Sequence, residues 1–145
     1  RSAVRRARNA VDLDHTQPSC LLTDRETLQL RPGLAVDVDT EQFESLLRQV
    51  QTHSHASDYE CDGCAAACRE AIGLYRGLFL ADLDIQTEPF EQWRAALQDH
   101  YRRQVLRALY TVAEHEVRTG SVQSAETYAR RQLEIERWNE ESRWR

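Results

Sequence analysis

The sequence contains no methionine and no lysine: every one of its 19 basic residues is arginine. A chain of 145 residues that lacks Met and opens on Arg1 is expected to be a piece of a longer protein. Arginine in every basic position reads as a coding bias, not a function. Glycine and proline are scarce, at five and three residues, which argues against a β-sandwich with its many tight turns and against a disordered tail. No stretch approaches the roughly 18 consecutive apolar residues of a membrane span, and no charged-apolar leader opens the chain. The expectation is a cytoplasmic protein with no membrane contact. Acid is absent from residues 1–8, which hold Arg1, Arg5, Arg6 and Arg8, while all 24 Asp and Glu lie beyond them. The net charge of −5 therefore hides a basic tip on an acidic body.

What is present is 41% apolar and 30% charged, a globular balance able to bury a core of its own. Residues 1–11 are amphipathic at helical spacing, with Val4, Ala7 and Val11 on one stripe and Arg1, Arg5 and Arg8 on another. Cys20-Leu21-Leu22-Thr23 and Thr27-Leu28-Gln29-Leu30 are β-prone runs around the polar turn Asp24-Arg25-Glu26, and Pro32-Gly33 ends the second. They predict a β-hairpin.

From Asp39 the period becomes helical. Asp39 and Gln42 occupy capping-box positions, and Phe43, Leu46, Leu47 and Val50 form the apolar stripe. Residues 52–60 have no period and read as a loop. A second helix is predicted from about Cys61 to Arg76, with Cys61, Cys64, Cys68, Ala71, Ile72 and Tyr75 on one stripe. Leu78, Phe79, Leu80 and Leu83 are expected to fold back as an apolar plug. Thr87-Glu88-Pro89 starts a long helix over roughly 89–118. One of its stripes runs through Phe90, Trp93, Leu97, Tyr101, Val105, Ala108 and Val112. A second runs through Leu106, Leu109, Ala113 and Val117, as for a helix touching two neighbours. Gly120 stops it, Ser121 caps the next helix with Ala125, Ala129 and Leu133 inward, and a further helix is expected after Trp138-Asn139. The predicted core includes Tyr75, Phe79, Phe90, Trp93, Leu109, Ala125, Ala129 and Leu133. Gly120, Ala125, Ala129 and Leu133 are similar to part of a tetratricopeptide pattern, with Arg137 where that repeat has proline.

The strongest chemical cluster is His53-x-His55 followed by Cys61-x-x-Cys64, with Cys68 close behind. Two imidazoles and two thiolates suit a closed tetrahedral Zn²⁺ site that would clip the loop to the helix. A Cys61–Cys64 disulfide or redox pair is a second reading. The third is simple packing, since Cys61, Cys64 and Cys68 share the stripe of Ala71 and Tyr75 and free cysteine behaves as a small apolar residue. Asp37-x-Asp39 reads as a helix cap, not a metal pair. The basic N-terminal face, with Arg25 in the hairpin, suits contact with phosphates or base edges, whereas Arg102-Arg103 and Arg130-Arg131 sit among acids and read as solvated faces. No phosphate loop, dinucleotide fingerprint or nucleophile elbow is present, and His15, His100 and His115 are isolated. No enzyme is expected.

Several runs together carry a resemblance. Tyr75-Arg76-Gly77-Leu78-Phe79-Leu80-Ala81-Asp82, Phe90-Glu91-Gln92-Trp93, Leu109-Tyr110-x-x-Ala113-Glu114-His115 and Tyr128-Ala129-Arg130-Arg131-Gln132-Leu133-Glu134 resemble the bacterial transcriptional activator domain of Streptomyces antibiotic regulatory protein-type regulators. Residues Leu21 to Leu30 resemble the C-terminal wing of the winged-helix DNA-binding domain that precedes it, and residues 1–11 resemble part of a recognition helix. The resemblance implies a mainly α fold of tetratricopeptide-like antiparallel hairpins behind a small β-hairpin. It divides the chain into 1–33, the end of a winged helix, and 34–145, the helical activator domain. It implies a regulator whose helical half packs on its own winged helix and positions or dimerises DNA-binding heads through a second copy or another protein. The whole parent would bind DNA, this piece weakly or not at all, with Arg1, Arg5, Arg6, Arg8 and Arg25 as the contacting residues. Structural Zn²⁺ at His53, His55, Cys61 and Cys64 lies outside that resemblance. Two alternatives stand beside it: a metal- or redox-responsive sensor built on the His53–Cys64 loop, and a peptide-binding scaffold unrelated to transcription.

Overall fold

A computed structural model describes residue 6 and residues 19–24, 26–54 and 57–143, with side chains as far as residue 137. The chain divides into two compact units, Arg1–Asp37 and Val38–Arg145.

In the first unit, strands β1 (Leu21–Thr23) and β2 (Leu28–Leu30) pair antiparallel, with Leu21 opposite Leu30 and Thr23 opposite Leu28. The turn is fixed by one side chain. The Asp24 carboxylate accepts hydrogen bonds from the backbone N–H groups of Glu26 (2.8 Å) and Thr27 (2.6 Å) and from the Thr27 hydroxyl (2.8 Å). These donors favour the ionised form and hold Asp24 below its ordinary value. The backbone N–H of Arg31 reaches the Cys20 carbonyl at 2.8 Å, and its Nε donates to the Ser19 carbonyl at 2.9 Å, tying the strand ends together. Gly33, at φ +81°, takes the left-handed turn that Pro32-Gly33 signals.

The second unit is helical: α1 (Asp39–Thr52), a 3₁₀ turn (Asp58–Glu60), α2 (Asp62–Leu74), α3 (Glu88–Arg118) and α4 (Val122–Arg143). α1 follows extended Val38 and has no side-chain cap. Asp39 is its first residue, so the predicted capping box does not form. The Asp39 carboxylate instead accepts from Arg76 Nη2 at 2.9 Å, and an acid there still suits the helix dipole. α3 starts after extended Thr87 with Pro in its first turn, where the missing N–H costs nothing. Gly120 at φ +83° turns the chain into α4.

The core forms where three apolar stripes meet: Phe43, Leu47 and Val50 of α1, Cys64, Cys68, Ala71 and Ile72 of α2, and Tyr101, Val105, Ala108, Leu109 and Val112 of α3. The Phe43 ring meets Tyr101 edge-on at 5.9 Å. Phe79 closes the same cluster, its ring 5.4 Å from Tyr101 and 5.7 Å from Trp93.

The structure corrects several expectations. Of the predicted plug, only Phe79 packs inward, while Leu78, Leu80 and Leu83 remain exposed. The connector is held instead by polar groups of α3. Arg94 Nη1 donates to the Leu83 carbonyl at 2.7 Å, and Gln98 Nε2 to that of Phe79 at 2.8 Å. Leu80 sits between them at φ +50°, a left-handed conformation costly for a non-glycine residue. Trp93 is 48% exposed, its ring meeting those of Phe79 and Phe90, and Phe90 is half-buried. Tyr75 is half-buried at the core edge.

On α4, Ala125 is buried, but Ala129 is exposed and Leu133 is 66% exposed. The inward line runs through Ala125, Tyr128, Arg131, Gln132 and Ile135 instead. α4 packs chiefly against α3, and one partner covers only a narrow seam. α4 also runs unbroken to Arg143. No helix breaker stands at Trp138-Asn139, so the predicted new helix there is a continuation.

Candidate functional site

The loop between α1 and α2 gathers ligand-type side chains. His53 closes α1, its backbone N–H bonded to the Gln49 carbonyl at 3.0 Å. Cys61 is the extended residue that begins α2, and Cys64 lies in that helix's first turn. The i to i+3 spacing puts both sulfurs on one side of the helix start. His53 Nδ1 lies 3.3 Å from Cys64 Sγ and 3.5 Å from Cys61 Sγ. All three ligand atoms lie within 4.8 Å of one another, with His53 exposed, Cys61 intermediate and Cys64 buried. The sequence-predicted set is thus brought together at three of its four positions. His55 lies outside the described residues.

Burial, then the neighbouring Cys61 sulfur, push the Cys64 thiol up to about 12. A helix N-terminus favours thiolate, whereas desolvation and the neighbouring Cys61 thiol act in the opposite direction on Cys64. Cys68 is a packing residue: it is 1% exposed, lies within the core and is pushed up to about 11, chiefly by burial. No disulfide joins the described cysteines.

The 3₁₀ turn in this loop is anchored to α3. His115, buried on α3, points Nδ1 at the Tyr59 carbonyl at 3.0 Å, so that nitrogen carries the proton and donates. Arg118 Nη1 donates to Glu60 Oε1 at 2.9 Å, and its guanidinium lies 4.7 Å over the Tyr59 ring. Arg107 reaches Asp58 at 3.4 Å. The isolated His115 of the sequence is therefore a tether. Nothing in its spacing announces this, because its partner is 56 residues away.

Two further long-range ties were equally invisible in the sequence. Arg69 Nη2 of α2 donates to Glu116 Oε1 of α3 at 2.5 Å, with the Glu116 side chain only 11% exposed. Arg131 donates to backbone carbonyls at the end of α2, so it is not part of a solvated face. Arg102 is likewise largely covered and pairs with Asp99. Arg130, paired with Glu126 and well exposed, is on a solvated face as expected. A shallow cleft of about 220 Å³ lies between the start of α1 and the connector, lined by Asp39, Phe43, Tyr75, Phe79 and Tyr101 among others. The run that begins at Tyr75 forms one of its walls.

Of the proposed nucleic-acid contacts, Arg6 is helical and exposed. Arg1, Arg5, Arg8 and Arg25 lie outside the described residues. No helix among the described residues is long and apolar enough to cross a membrane.

Comparison with known families matches residues 38–145 to the family described as bacterial transcriptional activator domain. No curated protein and no solved structure matches the chain.

Proposed function

The chain belongs to the bacterial transcriptional activator domain family, and we propose that its helical unit is the interaction module of a cytoplasmic transcription regulator, holding DNA-binding heads in position by associating with a second copy of itself. The single observation that carries the regulatory reading is the family match over the whole helical unit. That family is one of regulatory domains, which favours this reading over an enzyme or a scaffold unrelated to transcription. The surface supports an interaction role. Tyr110 and Val117 recur at helical spacing on α3, Val122 and Leu133 on α4, and each is more than half exposed. Where such side chains form one contiguous patch, they mark an association surface. The acidic body repels DNA phosphate, leaving the arginines near the N-terminus as the basic surface drawn to it.

Sedimentation of the 145-residue chain, alongside duplex binding over a salt series, tests this. Expected are concentration-dependent self-association that Val117→Arg with Leu133→Glu abolishes, and weak, salt-sensitive, sequence-indifferent DNA binding. A strictly monomeric chain, or tight sequence-selective binding by this chain alone, overturns the reading.

A further inference from the structure

The His53–Cys61–Cys64 cluster belongs to no part of the regulatory reading, and its geometry is that of a coordination site. We propose that these three side chains bind one Zn²⁺ ion, with water or a further donor in the fourth position, and that the ion clips the α1–α2 loop onto the helical core.

Four observations support this. First, the spacing fits. Zinc bonds of about 2.3 Å to sulfur and about 2.0–2.1 Å to nitrogen, at tetrahedral angles, place S and N about 3.6 Å apart. The two nitrogen–sulfur distances are 3.3 and 3.5 Å and the three ligand atoms lie within 4.8 Å of one another, so one ion placed between them is within reach of all three. Second, both sulfurs converge on the same nitrogen. One ring nitrogen offers one hydrogen or one lone pair, which serves two sulfurs poorly, whereas a cation serves all three ligands at once.

Third, packing does not explain the set. Cys64 and Cys68 both lie in the core, at 2% and 1% exposure, but Cys61 is only partly covered and His53 is exposed. Core filling gives no reason for an exposed imidazole to face two thiols. Fourth, the donor set is selective: two thiolates and an imidazole are ligands zinc prefers, whereas magnesium and calcium take oxygen.

The ion has a mechanical consequence. The loop is already fastened to α3 through Tyr59 and Glu60, by His115 and Arg118. Zinc would fasten its two ends to each other, joining the last residue region of α1 to the first turn of α2. Loop closure would then be fixed at both ends and in the middle, and the entropy of the segment between His53 and Cys61 would be lost once, on metal binding. Binding replaces the two thiol protons by the ion and releases them to solvent, with no redox change.

The test uses the whole chain, purified under reducing conditions without added metal, and Zn²⁺ or Co²⁺ as the probe. Expected are one zinc per chain by elemental analysis and, after exchange, the intense visible and sulfur-to-metal charge-transfer absorption of tetrahedral cobalt–thiolate. Cys61→Ser and His53→Ala should each weaken cobalt binding at least tenfold. Cys68→Ser, a core variant outside the cluster, should retain one equivalent. Because Cys64→Ala removes a core residue, Cys61 and His53, which lie nearer the surface, carry the decision. Zinc far below one per chain together with no cobalt–thiolate absorption overturns the proposal. So does equal cobalt affinity in wild type, Cys61→Ser and His53→Ala, or formation of a Cys61–Cys64 disulfide that metal does not prevent. None of these outcomes bears on the transcriptional reading, whose test measures self-association and DNA binding.

Discussion

Arg131 Nη2 donates to the carbonyl oxygen of Tyr75 at 2.8 Å and to that of Ile72 at 3.2 Å, from 56 and 59 residues away. The last carbonyls of a helix lack intrahelical partners, and α2 has no basic residue of its own in its last turn. A guanidinium from α4 supplies both the donors and the charge that suits a helix C-terminus. This tie links α4 to α2 directly, although α4 packs chiefly on α3.

Adjacent arginines should therefore behave differently. Arg131→Met is expected to cost about 2–3 kcal/mol, since hydrogen bonds from a charged donor to half-buried carbonyls are lost. Arg130→Met removes only an exposed pair with Glu126 and is expected to cost less than about 0.5 kcal/mol. Urea unfolding of the two variants checks this, and equal destabilisation would show that the α2 carbonyls find water equally well.

Arg69 and Glu116 join α2 to α3 with the carboxylate nearly covered. Glu116→Ala leaves a half-buried guanidinium without its partner, and about 1–3 kcal/mol of destabilisation is expected. In a double-mutant cycle with Arg69→Ala, the coupling energy should exceed that of the exposed Arg130–Glu126 pair.

The apolar side chains of α3 and α4 give a third contrast. Leu109 is 0% exposed and Leu133 66%. Leu109→Ala is expected to cost about 2–5 kcal/mol. Leu133→Ala should change the unfolding midpoint of dilute protein by less than about 0.5 kcal/mol and act instead on self-association measured at higher concentration.

Alkaline pH should destabilise the helical unit. Burial raises Cys68 from 9.0 to about 11 and also raises Tyr75. A raised folded-state value means the protonated form is favoured in the native state. That stability is fully present below the unfolded value of 9.0 and is lost as pH rises through about 11. Cys68 alone accounts for at most about 3 kcal/mol of the loss. Denaturation midpoints followed from neutral pH upward should fall, and Cys68→Ala should flatten the slope. A slope unchanged in that variant would rule out Cys68 as the source.

Much of the architecture was written in local patterns. The β-hairpin follows from two β-prone runs around a turn whose Asp24 side chain can bond its own backbone, which requires nothing distant. The boundaries of α3 follow from Pro89 and Gly120, and helical spacing picks out the buried Tyr101, Val105, Ala108, Leu109 and Val112, while Trp93 and Val117 of the predicted stripes are exposed. His53, Cys61 and Cys64 were legible as one cluster because the thiols are three apart and the imidazole ends the preceding helix.

The sequence by itself determined the main helical segments, the breaks at the Pro89 and Gly120 ends of α3 and which ligand-type residues share a loop, because these depend on interactions within a few residues. Only the tertiary structure decided which face of α4 is covered, since Ala129 and Leu133 are as apolar as Ala125 and differ only in what packs beside them. It alone decided that Arg131 caps a helix, that His115 and Arg118 hold the loop, and that Cys68 fills the core while Cys61 and Cys64 turn toward His53. Each of those outcomes depends on partners brought together by folding, and spacing along one helix carries no record of the side chains another helix will present.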